Sequence, residues 1–236
     1  MLVTGAEAPL GCGLAVALAR AGAAVGLLGH VDHDVIGAVG ATGALMVVAP
    51  TDFSTRDDIG EAVAFAAGRL GPIDGLVHTA VDPVAFEPRP LVEVDDEHFD
   101  AVWEATMCST LYCLQAVHGQ MAGRGGAIVV TVPTLALTGL AGLAPYAAAS
   151  EGQRVLAKSA ARQWGPDGIT VNCLAVAPSL VLADAGPGAS LSPPALGTSG
   201  DVEADLGPVV VFLAGPGGRF VTGATLSVDG GTWMVP

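Results

Sequence analysis

A tyrosine stands four residues ahead of a serine in Tyr146-Ala-Ala-Ala-Ser150, at the head of an Ala-rich segment that runs to about Trp164. Residues at i and i+4 share one helix face, so a phenol and a hydroxyl would point the same way. A free tyrosine titrates near 10; at neutral pH it can give a proton to a carbonyl but is a poor base. A second stretch with chemistry is Thr4-Gly5-Ala6-Glu7-Ala8-Pro9-Leu10-Gly11-Cys12-Gly13. Glycines allow a tight turn and close approach of backbone to a diphosphate, and a following helix offers N–H donors. Pro9 has no N–H to give, and Glu7 brings a carboxylate toward the same place. A third stretch, His30-Val-Asp32-His33-Asp34, carries metal-capable side chains but reads as a solvated polar turn, so no metal site is expected.

The elements that would position these groups follow from the apolar runs. Strands are expected at Met1 to Thr4, Ala24 to Leu28, Ala44 to Ala49, Ile73 to His78, Ala127 to Val132, Ile169 to Val176 and Ala224 to Val228. Helices are expected at Leu14 to Ala21, Asp57 to Leu70, Asp95 to Ala122 (with breaks), Tyr146 to Trp164 and Asp201 to Ala214. This alternation predicts an α/β fold: one doubly wound parallel sheet of about seven strands with helices on both faces. Residues 1–236 read as a single Rossmann-like domain, without linker or internal repeat. The segment 179–200 is rich in Pro, Gly and Ser and could serve as a lid over substrate.

Composition narrows the function classes. The chain is 51% hydrophobic with 33 glycines, which suits buried parallel strands and tight turns. Its net charge of −14, with nine Lys and Arg, leaves no basic face for nucleic acid. Cys12, Cys108, Cys113 and Cys173 show no metal or redox spacing, which points to reduced thiols in a cytoplasm. The apolar stretch from Gly11 to Gly29 is interrupted by Arg20 and by turn-forming glycines, so a helix, turn and strand are expected there and no membrane span. The high apolar content predicts an oligomer interface.

The order of strand Gly125 to Thr131, loop, tyrosine-bearing helix and strand Gly168 to Asn172 resembles the core of the short-chain dehydrogenase/reductase family. The segment Phe220-Val-Thr-Gly-Ala-Thr-Leu-Ser-Val-Asp-Gly-Gly231 resembles its last strand. The resemblance covers nearly the whole chain. It implies a Tyr-x-x-x-Lys pair, with Tyr146 in the tyrosine position and Ser150 where the lysine would stand. It places Thr106 at the family's Asn position, and Thr134 at its Ser position with Pro133 as the other candidate. Against the family's Thr-Gly-x-x-x-Gly-x-Gly, the resemblance assigns cofactor contacts to Gly5, Gly11 and Gly13, with five residues between the first two. Asp52 matches the Asp that contacts adenine, and Ala80 is what remains of the Asn-Asn-Ala-Gly turn, with Val81 in place of its glycine.

The resemblance implies NAD or NADP as cofactor. Gly29 and His30 occupy the place of the acid that takes the ribose hydroxyls of NAD, which leans toward NADP. Glu7, Pro9 and Val81 together predict weak or lost binding. A lysine ammonium at about 4 Å and an effective dielectric near 20 favours tyrosinate by roughly 4 kcal/mol, or about three pKa units. Losses at several motifs predict a non-catalytic or regulatory subunit, paired with itself or with an active relative as a dimer or tetramer. The alternative is an active NAD(P)-dependent oxidoreductase that uses Tyr146 as acid and base. A cofactor-free lyase on the same scaffold is a third reading.

Overall fold

Parallel strands covered on both faces must be apolar on both, and the strands of this chain are. The computed structural model describes residues 1–182 and 193–234. Seven strands form one sheet: β1 (Leu2–Thr4), β2 (Val25–Leu28), β3 (Met46–Ala49), β4 (Gly75–His78), β5 (Gly126–Pro133), β6 (Ile169–Val176) and β7 (Thr225–Val228). They run in the order β3-β2-β1-β4-β5-β6-β7, and every pairing is parallel. The expected doubly wound sheet is therefore present.

Side chains alternate between two cores. Ile128, Val130 and Val132 face a layer made by α3 (Arg56–Leu70), α5 (Ser109–Met121) and α6 (Ala144–Trp164). Val129, Leu174 and Val176 face the opposite layer, made by α1 (Pro9–Arg20), α2 (His33–Gly40) and α7 (Gly207–Ala214). A short helix, α4 (Asp96–Trp103), runs into α5 through one π turn at Glu104–Cys108. That turn is where the expected long helix breaks. Among the described residues no helix is long and apolar enough to cross a membrane.

Two local readings change. The segment His30 to Asp34 is more than a turn: Asp32 caps α2 by accepting from the Val35 amide at 3.0 Å, and Val35 and Val39, one turn apart, are buried. The helix after the glycine loop begins at Pro9, five residues before the expected Leu14. Proline at the first helical position gives up only an N–H that the helix would leave unpaired.

That early start redefines the loop. Gly5 and Gly11 are six residues apart, the interval between the first and last glycines of the family pattern, and Pro9 falls on the middle one. Gly5 has φ +68, and a Cβ on it would lie 2.7 Å from the Ala80 backbone. A Cβ on Gly11 would lie 2.2 Å from the Gly5 carbonyl oxygen. The loop thus has ordinary length, and the expected two-residue extension is absent. Gly13 does different work: a Cβ there would meet Val202 Cγ1 at 2.6 Å, so it packs α1 against the turn Val202–Leu206.

Gly11→Ala should cost about 1–3 kcal/mol, because the backbone it meets cannot step aside. Gly68→Ala, exposed inside α3 with nothing within 4 Å of its added Cβ, should be neutral or stabilising by up to about 1 kcal/mol. Urea unfolding of the two variants checks the contrast.

Candidate active site

The sheet order reverses between β1 and β4, and ligands of open α/β sheets bind beyond the carboxyl ends of strands at such a point. The last residues of the two strands, Thr4 and His78, are register partners. Their side chains are joined, Thr4 Oγ1 to His78 Nδ1 at 2.9 Å, and both are buried. Thr4 Oγ1 also accepts from the amides of Thr79 and Ala80 at 3.1 and 3.2 Å. With two donors already on that oxygen, its own proton goes to Nδ1, which makes His78 the neutral Nε2–H tautomer. Nε2 then donates to Thr110 Oγ1 at 2.9 Å, and Thr110 donates to the Thr106 carbonyl at 2.7 Å. Gln153 of α6 joins by donating to Thr110 Oγ1 at 2.7 Å.

Every position in this network is filled by neutral His78. Imidazolium would need a second acceptor where Thr4 is already saturated, and burial pushes the His78 pKa down from 6.5 to about 4. None of His78, Thr110 and Gln153 was singled out from sequence. The available signals were a polar residue closing an apolar strand, and the i, i+4 pair Thr106 and Thr110.

Beyond the ends of β1 to β4 lies a cavity of about 720 Å³, with Glu7, His30, Asp52, Ala80, Val81 and Tyr112 in its wall. Ser54 donates to Asp52 Oδ1 from its amide at 2.9 Å and its hydroxyl at 2.7 Å, which holds that carboxyl below the usual range. Asp52 and Ala80 both line this cavity, and the Ala80 backbone packs against Gly5. Glu7 does not occupy the helix end: the α1 N-cap, Ala8, has no side-chain partner, and the first turn carries no acid. The Glu7 carboxylate instead lies against Gly29, with Oε2 2.9 Å from where a Cβ on Gly29 would be.

The four expected catalytic positions are all buried: Tyr146 is 1% exposed, Thr134 2%, Thr106 and Ser150 0%. Tyr146 is held edge-on to Phe86, ring centroids 5.4 Å apart, among Ala85, Leu135, Leu143 and Leu182. The turn Thr134–Leu137 follows β5 directly, since Pro133 is still in the strand, and packs against α6. Ser150 Oγ lies near the Tyr146 hydroxyl and slightly favours phenolate, but lacks the geometry of a full hydrogen bond. Burial outweighs it and pushes the phenol well above its ordinary value of 10. The Thr106 and Ser150 hydroxyls are buried without hydrogen-bond partners. Tyr146 is not on the cavity wall; Val81 lines the cavity and also packs on the Tyr146 cluster.

A family model described as Enoyl-(Acyl carrier protein) reductase matches residues 5–232. The 3-oxoacyl-[acyl-carrier-protein] reductase FabG of Staphylococcus epidermidis is 30% identical, over 99% of this chain and 98% of its own. The chain belongs to the short-chain dehydrogenase/reductase family. Among solved structures, a putative short-chain alcohol dehydrogenase from Sinorhizobium meliloti 1021 superposes with a TM-score of 0.88 at 28% identity, covering 98% of this chain and 94% of that one. A blue fluorescent protein from a metagenomic library, solved in complex with NADPH, gives 0.84 at 29% identity, covering 98% and 96%. The short-chain dehydrogenase/reductase frame therefore holds across the chain, and the expected lid is the part least described. Pro178–Leu180 forms a turn, Leu182 is buried beside Tyr146, and the Ser179 and Ser199 hydroxyls bond at 2.7 Å. Residues 183–192 of the expected lid lie outside the described residues.

Because the His78 pKa is lower folded than unfolded, the stability it contributes is complete above about 6.5. It is lost as pH falls from there toward 4, by about 3 kcal/mol in all. Melting temperature should drop across that window, and His78→Gln should flatten the drop while lowering stability at pH 7. Thermal unfolding from pH 8 to pH 4 measures both.

Proposed function

We propose that this chain is an NAD(P)-dependent oxidoreductase that works as a carbonyl reductase, with Tyr146 as the acid. The observation that carries the reading is the position of Tyr146, at the head of α6 beside the turn after β5, in a chain 30% identical throughout to a 3-oxoacyl reductase. The cofactor fits the residues at the switch point. Gly5 and Gly11 leave room where side chains would collide, and the uncapped start of α1 turns amides toward a diphosphate. That the related blue fluorescent protein holds NADPH supports the same assignment. When bound, the nicotinamide supplies the hydride.

The chain's own part is acid catalysis. As the carbonyl carbon takes up hydride, its oxygen gains charge, and the Tyr146 hydroxyl gives it a proton. A phenol holds its proton at neutral pH with or without burial; burial makes it a weaker acid, so it protonates only the strongly basic oxygen that forms as hydride adds. Val81 and Phe86 must move aside for a substrate to reach the hydroxyl.

A second reading has its own support. Ser150 for lysine, Thr106 for asparagine and the enclosure of Tyr146 fit a non-catalytic or regulatory subunit. It would assemble with itself or an active relative through α4, α5 and α6, where Phe99, Trp103 and Val155 are 40%, 37% and 57% exposed.

With NADH and NADPH and a panel of ketones, including 3-oxoacyl thioesters, we expect reduction near pH 7. Alcohol oxidation should appear only at high pH, and Tyr146→Phe should lower reduction by at least about a hundredfold. Cofactor binding without turnover on any substrate would favour the second reading. Turnover untouched by Tyr146→Phe would remove Tyr146 from the chemistry.

A further inference from the structure

We propose that Glu7, from the glycine loop, is the residue that selects NAD(H) over NADP(H), in place of an acid at the end of β2. The inference rests on the cofactor reading above. In dinucleotide folds the acid that accepts the adenosine ribose hydroxyls stands at the end of the second strand. Here that strand ends in Leu28 and is followed by Gly29, whose φ of +130 suits glycine and strains any acid placed there. The missing side chain is replaced in space. Glu7 Oε2 lies 2.9 Å, and its carboxyl carbon 3.7 Å, from where a Cβ on Gly29 would be. An Asp or Glu at position 29 would put its own carboxylate within the same few ångströms.

The surroundings fit a pair of hydroxyls and reject a phosphate. Glu7, Asp52, Asp82 and Glu104 all line the cavity, and His30 is the one basic side chain among its lining residues. Among the described residues no lysine or arginine lines it. Arg56 stands over the ring of Tyr112, a lining residue, but it donates to Gln115. A carboxylate accepts both ribose hydroxyls, whereas the 2′-phosphate of NADP would meet Glu7 with only His30 to offset two negative groups. Phe53, with φ +61, closes the same spot, its ring edge 3.5 Å from the Gly29 Cβ position. The preference proposed here runs opposite to the lean toward NADP drawn from the absent acid at Gly29 and His30.

The test is binding to the full chain by calorimetry, with NADH and NADPH as one pair of probes. Adenosine 5′-monophosphate and adenosine 2′,5′-bisphosphate form a second pair that carries only the half Glu7 would read. In each pair the ligand with free ribose hydroxyls should bind tighter, by about tenfold to a hundredfold, the scale of a charge-assisted hydrogen bond. Glu7→Gln should shrink that ratio and Glu7→Lys should invert it, with the far-ultraviolet circular dichroism of both unchanged. Equal or tighter binding of the 2′-phosphorylated ligands by the unmodified chain, or a ratio unmoved by Glu7→Gln, overturns the assignment to Glu7 alone. Binding of no probe from either pair overturns the cofactor reading, and this inference with it.

Discussion

The hydroxyl of Thr4 holds the centre of the molecule together. It sits at the end of β1, at the point where the sheet changes direction, and its single oxygen serves three partners: the Thr79 and Ala80 amides and the ring of His78. Those amides fix the turn after β4. Gly5 lies on that turn so closely that a methyl group would collide with it, and Gly11 lies on Gly5 in the same way. The start of α1, and so the direction of its free amides, follows from one buried hydrogen-bond cluster. Through His78 and Thr110 the cluster reaches the Thr106 carbonyl, and Gln153 ties in α6. A π turn there, at Glu104–Cys108, lets the Thr106 carbonyl accept from the Ser109 and Thr110 hydroxyls beside the Ser109 amide; π turns are frequent at functional sites. Strand ends, glycine loop and the helix bearing the tyrosine are thus one mechanical unit. A buried network of this kind has value only when every member is satisfied, which explains why neutral His78 is required.

How much of this could be read from sequence depended on the physics behind each feature. Strands buried on both faces announce themselves as apolar runs, so all seven appear within a residue or two of expectation, and Ile169–Val176 matches at both ends. Long helices were legible from periodicity, and the starts of α3, α4 and α6 fall within two residues of expectation, but the start of α1 does not. Pro9 reads as a breaker in a loop and turns out to be a first helical residue. The eight residues of α2 are too few for a period to show, although Asp32 with Val35 and Val39 carried the signal of a capped amphipathic turn. Glycines marked close approaches without saying to what: Gly11 meets Gly5, while Gly13 meets Val202, some 190 residues away in sequence. The reach of Glu7 to Gly29 was invisible for the same reason, since spacing fixes faces of helices and strands but not the direction of a loop side chain. Tyr146 and Ser150 were correctly placed on one face. Their depth of burial depends on Phe86, Leu143 and Leu182, which three separate segments bring there.

That burial bears on what the lost lysine means. In a solvated cleft, an ammonium at position 150 would simply be missing, and adding it back would restore a low tyrosine pKa. The position found here is fully buried, with an unpartnered hydroxyl of its own and that of Thr106 also unpartnered. Moving an ammonium into such surroundings costs several kcal/mol unless an acid accompanies it. Glu151 cannot serve, because it is paired with Arg154 at 3.0 Å, and Arg154 also bonds Thr225. Ser150→Lys alone would therefore trade the gain in tyrosinate stability, roughly 4 kcal/mol, against a desolvation penalty of similar size. The neutral serine, the raised phenol and the apolar cluster form a consistent set. They keep a proton on Tyr146 and leave it unable to act as a base at neutral pH, so any proton it gives must pass to an oxygen that becomes more basic still as hydride adds.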